Sequence, residues 1–119
     1  MFSRNLYVRV RPNVMRVRDV DSGREIEARS VTPFTSQRLL VGQFRAADDT
    51  LKRALSELGV GSFLKSRRLV MHPLEMVDGG VSEVEERVLL ELAGSDARKA
   101  IVWVGRELTD LEVREKLQL

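Results

Sequence analysis

Apolar and polar residues alternate strictly near the start of the chain. In the stretch LYVRVRP, which begins at Leu6, every second residue is aliphatic, and a tyrosine and two arginines occupy the positions between. Successive side chains of a strand point to opposite faces of a sheet, so this period of two predicts a strand with one apolar face. The turn signals PN and DSG separate it from VMRVRDV and from a third predicted strand near REIEARS. Three short strands joined by tight turns predict an antiparallel meander, with one face packed on helices and the other exposed to water.

The period of the apolar residues changes to that of a helix in the middle of the chain. Between residues 47 and 59 the apolar side chains fall on one helical face. They are Leu51, Ala54, Leu55 and Leu58. We expect Asp48 or Asp49 to cap the start of this helix, because their carboxylates accept hydrogen bonds from free N–H groups, and Gly59 to end it.

Two capping boxes predict two further helices. Ser82 and Glu85 form an S-x-x-E box, and the helix that follows is expected to end at Gly94. Its predicted core residues are Val84, Val88, Leu89 and Leu92. Thr109 and Glu112 form the second box, at the start of a C-terminal helix. Its predicted core residues are Leu111, Val113 and Leu117.

The remaining apolar runs predict strands or connectors. RRLVMHP (67–73) predicts a short buried strand, and KAIVWVG (99–105) predicts a strand with both faces covered because it is almost continuously apolar. RLLVG (38–42) fits an edge strand or a connector. The element order is then βββαβαβα, which predicts an α/β fold: one domain over residues 1–119 with a mixed five-stranded sheet and three helices.

This order of elements is the topology of the ribonuclease-H-like fold, which actins and sugar kinases use twice. The opening MFSRNLYVRVRPNVMRVRDV resembles the start of MreB, the bacterial rod shape-determining actin homologue. The stretch RRLVMHPLEMVDGGVSEVEERVLLELAGSDARKAIVWV is similar to the family's strand, small-residue loop, helix and strand. The match is carried by Val84, Glu85, Arg87, Ala97, Arg98 and Lys99. The resemblance covers most of this chain but only a minor part of a full actin, and it implies actin subdomain IA.

The departures from the MreB family concern its nucleotide site. Aligned first strands put Arg9 at the family's aspartate and Arg11-Pro12 at its Gly-Thr. In the family this turn wraps the nucleotide phosphates with backbone N–H groups, and glycine permits the close approach. Proline has no N–H, and arginine cannot ligate a cation. The resemblance therefore implies shared ancestry without ATP binding, and we expect no cofactor.

Composition indicates the cellular compartment of the protein and the charge of its possible partners. The 119 residues include 43% hydrophobic ones and no cysteine, and no apolar run approaches the roughly 18 residues of a membrane span. The opening residues do not suggest a signal peptide, so we expect a cytoplasmic protein without a transmembrane segment. Residues 1–45 hold nine arginines and four acidic residues, whereas residues 46–119 hold eleven basic and fourteen acidic residues. The basic first part could attract nucleic acid, an acidic protein or an anionic membrane surface.

Four arginines in the first two strands form the candidate interaction surface. They are Arg9, Arg11, Arg16 and Arg18. Glu25 and Glu27 alternate on the third strand and could pair with Arg16 and Arg18 across the ladder. Surplus positive charge should then stand exposed, although a merely solvated face is the simpler reading. Few aromatic residues accompany these arginines, which weakens a nucleic-acid interpretation.

No group of residues predicts catalysis or a metal site. His72 has no second histidine or cysteine near it and precedes a proline at a strand end, which favours a structural role. A ribonuclease-H-type nuclease needs clustered carboxylates for two metal ions, and the first strand offers arginines instead. The sequence DGG before the Ser82 helix could receive an anion, but three glutamates in the first turn oppose this.

We therefore expect a non-catalytic interaction module related to rod shape-determining actins. Its partner would be an actin-like filament, a component of cell shape or division, or a second copy of this chain. One alternative is a nucleic-acid-binding domain that uses the arginine-rich face. Another is an enzyme remnant that has lost its ligand.

Overall fold

A five-stranded mixed sheet organises the chain in a computed structural model that describes residues 4–60, 67–94 and 97–118. The elements follow the predicted order: β1 Arg4–Arg11, β2 Val14–Asp19, β3 Glu25–Arg29, α1 Phe44–Glu57, β4 Arg67–Pro73, α2 Glu83–Ala93, β5 Lys99–Val102 and α3 Asp110–Gln118. The prediction of an α/β fold with a mixed sheet and three helices is confirmed for these ranges. None of the described helices is long and apolar enough to span a bilayer.

The strands lie in the order β3-β2-β1-β4-β5. The first three are antiparallel, which confirms the predicted meander, and β4 and β5 are parallel to β1. RLLVG forms no strand and belongs to the connector between β3 and α1. KAIVWVG was predicted to form a longer strand with both faces covered, and this prediction is wrong. β5 has four residues, all half-buried, because it lies at the edge of the sheet.

One face of the sheet carries the larger part of the core. Leu6, Val8 and Val10 are fully buried there, and α1 and α2 pack over this face. From α2, three side chains enter this core: Leu89, Leu92 and Ala93. The assignment of Val84 to the core is wrong, since its side chain is 73% exposed. Val84 lies in the first turn of α2, whereas the buried residues of this helix lie in its second half.

The opposite face, expected to be wet, is covered in part by α3. The chain returns after β5 and lays α3 over β1, β4 and β5. A second cluster forms there from Tyr7, Val20, Val70, Leu108, Val113 and Leu117. Leu111, predicted as core, is exposed on the outer side of α3. α3 does not cover β2 and β3, and polar side chains such as Arg16 and Glu27 occupy this part of the face.

The predicted helix ends are confirmed except for the start of α1. Both capping boxes form, and Gly59 adopts φ +80° after α1. Its N–H donates to Ser56 O at 3.0 Å, and the next N–H donates to Leu55 O at 2.8 Å, which is a Schellman closure. The helix begins at Phe44, before either predicted aspartate, because the connector is fixed by N–H bonds to Phe34 O.

Candidate interaction surfaces

The four arginines of the candidate surface, called here the arginine surface, lie on the sheet face that α3 leaves partly open. The predicted pairing across the ladder is confirmed, and the strand register sets Arg16 opposite Glu27 and Arg18 opposite Glu25. Arg16 and Glu27 approach to 2.8 Å, and Arg18 and Glu25 to 3.9 Å. The bond to Glu27 raises the pKa of Arg16. Because both partners are exposed to water, this pair contributes little to stability.

Arg9 is held by its neighbours and does not stand free. Its side chain is only 12% exposed and forms ion pairs with Glu25 and Glu107. Its guanidinium carbon lies 5.0 Å from the centre of the Tyr7 ring, a cation–π distance. Arg9 therefore connects β1 to β3 and to the segment before α3. The expectation of a wholly wet arginine face is wrong at this position, because α3 brings Glu107 and a covering segment over β1.

Arg18 fastens α3 to the sheet. Its Nε and Nη2 donate to the two carboxylate oxygens of Asp110 at 2.7 and 2.9 Å. This two-point bond raises the pKa of Arg18 and lowers that of Asp110. Arg11 differs from the other three arginines, since it is exposed and makes no ion pair with any described residue.

Tyr7 and His72 form a buried hydrogen-bonded chain. The Leu108 N–H donates to the Tyr7 hydroxyl at 3.0 Å, and that hydroxyl lies 2.6 Å from Nδ1 of His72. Nε2 of His72 lies 2.9 Å from Gly105 O. A carbonyl only accepts, so Nε2 carries the proton, and Nδ1 accepts from Tyr7. Burial lowers the pKa of His72 and raises that of Tyr7, so both are neutral and mutually satisfied.

The β1–β2 turn, which the resemblance aligns with a phosphate-binding turn, is occupied by the chain itself. Asn13 adopts φ +60°, and its N–H donates to Thr35 Oγ1 at 3.0 Å. The Asn13 amide oxygen accepts from the N–H groups of Phe34 and Thr35, each at 2.9 Å. Pro12 has no N–H to offer. The turn thus anchors the segment after β3.

The carboxylates near the sheet are engaged in turns and ion pairs. Asp19 is buried and accepts from Arg4 at 2.8 Å and from the N–H of Asp21 at 3.0 Å. No group of three or more His, Cys, Asp or Glu side chains within the described ranges is arranged to hold a metal ion.

An apolar groove lies at the end of the sheet where β4 runs into α2. Its walls are the connector before α1 and the loop after β4, and the first two turns of α2 form its third side. The aliphatic residues on its walls are Leu39, Val41, Met76, Val77, Val81, Val84 and Val88. Leu39, Met76 and Val84 are among the exposed large apolar residues of the chain. Buried Leu40 and Leu89 form its base and join it to the core.

Sequence reasoning missed this groove. Val84 and Val88 share a helical face with Leu89 and Leu92, so they were assigned to the core. The only available signal was that Val84 lies in the first turn of α2, two residues after the N-cap Ser82. Leu39 and Met76 come from separate loops, and only the tertiary structure brings them beside α2.

Comparison with known proteins identifies one relative and no solved structure. The uncharacterized protein YjaA of Escherichia coli (strain K12) is 39% identical to this chain over 101 residues, covering 79% of this chain and 78% of YjaA. The chain therefore belongs to the YjaA family. No model of a known protein family matches, and no solved structure matches.

Proposed function

We propose that this member of the YjaA family is a non-catalytic protein-interaction module with a ribonuclease-H-like fold and no ATP site. The observation that carries the proposal is the apolar groove beside α2. Leu39, Met76 and Val84 stand exposed together there, whereas single exposed apolar residues would need no explanation. A contiguous apolar surface that joins the core is what a protein partner covers on binding.

The strand order supports the ribonuclease-H-like part of the proposal. The order β3-β2-β1-β4-β5 agrees with that fold, as does the placement of α1 and α2 on one face and α3 on the other. Descent from an MreB-like actin subdomain is proposed on the sequence motifs alone. It would make an actin-like filament or a cell-shape component the natural partner, and fold alone does not assign one.

The absence of ATP binding is proposed from the occupied β1–β2 turn. The Asn13 N–H already donates to Thr35, and Pro12 has none, so neither is available to a phosphate. Arg9, aligned with the metal-holding aspartate of the family, is committed to two glutamates. A nucleotide would have to displace both sets of bonds.

The non-catalytic character is proposed from the buried Tyr7–His72 chain. A general base needs a free lone pair within reach of substrate, and Nδ1 of His72 accepts from Tyr7 while Nε2 donates to Gly105 O. The side chain of His72 is fully buried. Both ring nitrogens of His72 are therefore used in hydrogen bonds that stabilise the fold.

The arginine surface remains a second candidate contact region, with Arg11 as its exposed and unpaired member. It supports the nucleic-acid alternative poorly, because Arg9, Arg16 and Arg18 each form an ion pair with a carboxylate of the chain. Counterion release needs guanidinium groups that can reach phosphates.

Site-specific photo-crosslinking in cells that produce the protein tests this function. A photoreactive amino acid replaces Val84 in the groove or, as the control, Val31, which is 88% exposed and lies outside it. We expect a discrete protein adduct from position 84 and none from position 31. The proposal is overturned if neither position gives an adduct, or if both give the same set.

A further inference from the structure

We propose that the apolar groove binds an amphipathic, basic helix of a partner protein. This inference rests on the proposed interaction function and adds the chemistry of the partner. Three features of the groove carry it: an apolar ridge on α2, an excess of carboxylates in and near it, and an exposed methionine with an unusual backbone conformation.

The apolar ridge consists of Val84 and Val88, four residues apart on one side of α2. Residues with this spacing stack along a helix surface, and such rows fit between the side chains of a second helix. Leu39 and Met76 face the ridge from the two loops and form the opposite walls. The arrangement therefore offers a shallow apolar groove beside an existing helix, against which a helix carrying one apolar stripe can pack.

Carboxylates lie in and near this groove. Glu75 and Glu85 line it, Asp78 lies in the loop between two lining residues, and Glu83 and Glu86 belong to the start of α2. Of these five carboxylates, only Glu85 has an assigned bond, to the Ser82 N–H at 3.2 Å in the capping box. The others make no ion pair with any described residue. Two basic residues are next in sequence to lining residues: Arg38 precedes Leu39, and Arg87 precedes Val88.

The excess of negative charge near the groove indicates that the bound segment carries positive charge. An acidic or neutral partner would leave these carboxylates unpaired near a low-dielectric contact, whereas Lys or Arg side chains flanking an apolar stripe would pair with them. Arg9, Arg16 and Arg18 on the sheet of the same chain are already paired with carboxylates, so they offer the groove of a second copy little free positive charge.

Met76 lines the groove and has an unusual backbone conformation. It adopts φ +59°, a left-handed conformation that costs a non-glycine residue energy and concentrates at functional positions. Its side chain is exposed although it is apolar. Methionine is flexible and adapts to the surface of an incoming helix.

A fluorescent synthetic peptide of leucine and lysine is the probe for this chemistry. It has about 18 residues, or five turns, with leucines on one face and lysines on the flanks. We expect it to bind the full chain and to shift the amide resonances of residues around Met76 and Val84. A matched peptide with glutamate in place of every lysine should bind at least about tenfold more weakly, since its charges repel the carboxylates in and near the groove.

Matched valine variants locate the binding. Val84→Asp should weaken the lysine peptide at least about tenfold by placing a charge on the ridge, and Val31→Asp should leave binding unchanged. Both positions are exposed, so both variants are expected to fold, which urea denaturation verifies. The double variant Glu83→Lys, Glu86→Lys should lose affinity for the lysine peptide and gain it for the glutamate peptide.

Several results would overturn the inference. One is equal binding of the lysine and glutamate peptides, and another is equal loss in Val84→Asp and Val31→Asp. A dimer of this chain that Val84→Asp abolishes would assign the groove to a second copy instead. If position 84 crosslinks to a partner in cells while the lysine peptide does not bind, the interaction function stands and the basic-helix chemistry is wrong.

Discussion

Tyr7 and His72 are joined by a buried hydrogen bond of 2.6 Å from the Tyr7 hydroxyl to Nδ1 of His72. They lie on neighbouring parallel strands, β1 and β4, and their rings stack with centroids 5.8 Å apart. The bond links the only histidine of the chain to the segment before α3 through Leu108 and Gly105. It therefore helps to fix α3 over the sheet.

Tyr7→Phe is expected to destabilise the protein by about 1–3 kcal/mol, the cost of leaving buried polar groups unsatisfied. The variant keeps the ring but removes the partner of both the Leu108 N–H and His72 Nδ1. Urea denaturation followed by the fluorescence of Trp103, the only tryptophan, measures the change. A free energy of unfolding equal to that of the parent would show that these groups find water instead.

Stability is expected to fall as the pH drops below about 6.5, the ordinary pKa of histidine. Burial lowers the pKa of His72 in the folded state, so the unfolded chain binds a proton first. The stabilisation is fully present above the unfolded pKa and is lost toward the folded pKa, at up to about 1.4 kcal/mol per pH unit. The lowered pKa values of Glu27, Glu107 and Asp110 act only at more acidic pH. Urea denaturation between pH 7.5 and 5 checks this, and a flat profile would contradict it.

Arg9→Ala is expected to be more damaging than Arg16→Ala. Arg9 is nearly buried, stacks on Tyr7 and pairs with two glutamates, so its loss should cost about 1–3 kcal/mol. Arg16 is exposed and pairs in water, so its loss should stay within about 0.5 kcal/mol. Equal free energies of unfolding for the two variants would contradict the role assigned to Arg9 in connecting β1 to β3 and to the segment before α3.

ATP with magnesium is expected to leave the melting temperature unchanged at millimolar concentration. In the β1–β2 turn the N–H and the amide oxygen of Asn13 already make hydrogen bonds within the chain, and Pro12 has no N–H to donate. A ligand that binds the native state must raise the melting temperature, so a thermal scan with and without nucleotide decides the matter. A rise that depends on nucleotide concentration would require a site elsewhere.

Val8→Asp and Val84→Asp are expected to have opposite outcomes. Val8 of β1 is fully buried in the core under α1 and α2, so an aspartate there places an unpaired charge in the core and prevents folding. Val84 is exposed, so the same change should cost within about 0.5 kcal/mol. Circular dichroism and urea denaturation of the two variants provide the measurement. A comparable loss at position 84 would return Val84 to the core, where the sequence had placed it.

The sequence by itself determined the elements, their order and most of their ends. Alternation of period two located β1 and β2, helical spacing located α1, and the Ser82 and Thr109 capping boxes located the starts of α2 and α3. These are local properties, because a strand face, a helix face and a cap are each set by residues a few positions apart. The cross-strand pairing of Arg16 with Glu27 was predictable for the same reason, since a tight turn fixes the register.

Only the tertiary structure decided which surfaces are covered. α3 folds back over β1 and β4, buries Tyr7 and brings Glu107 to Arg9, contacts that join residues about a hundred positions apart. The apolar groove likewise requires Leu39, Met76 and Val84 to meet from three separate segments. Hydrophobic patterning states that a side chain prefers burial, but packing decides whether any neighbour is there to bury it.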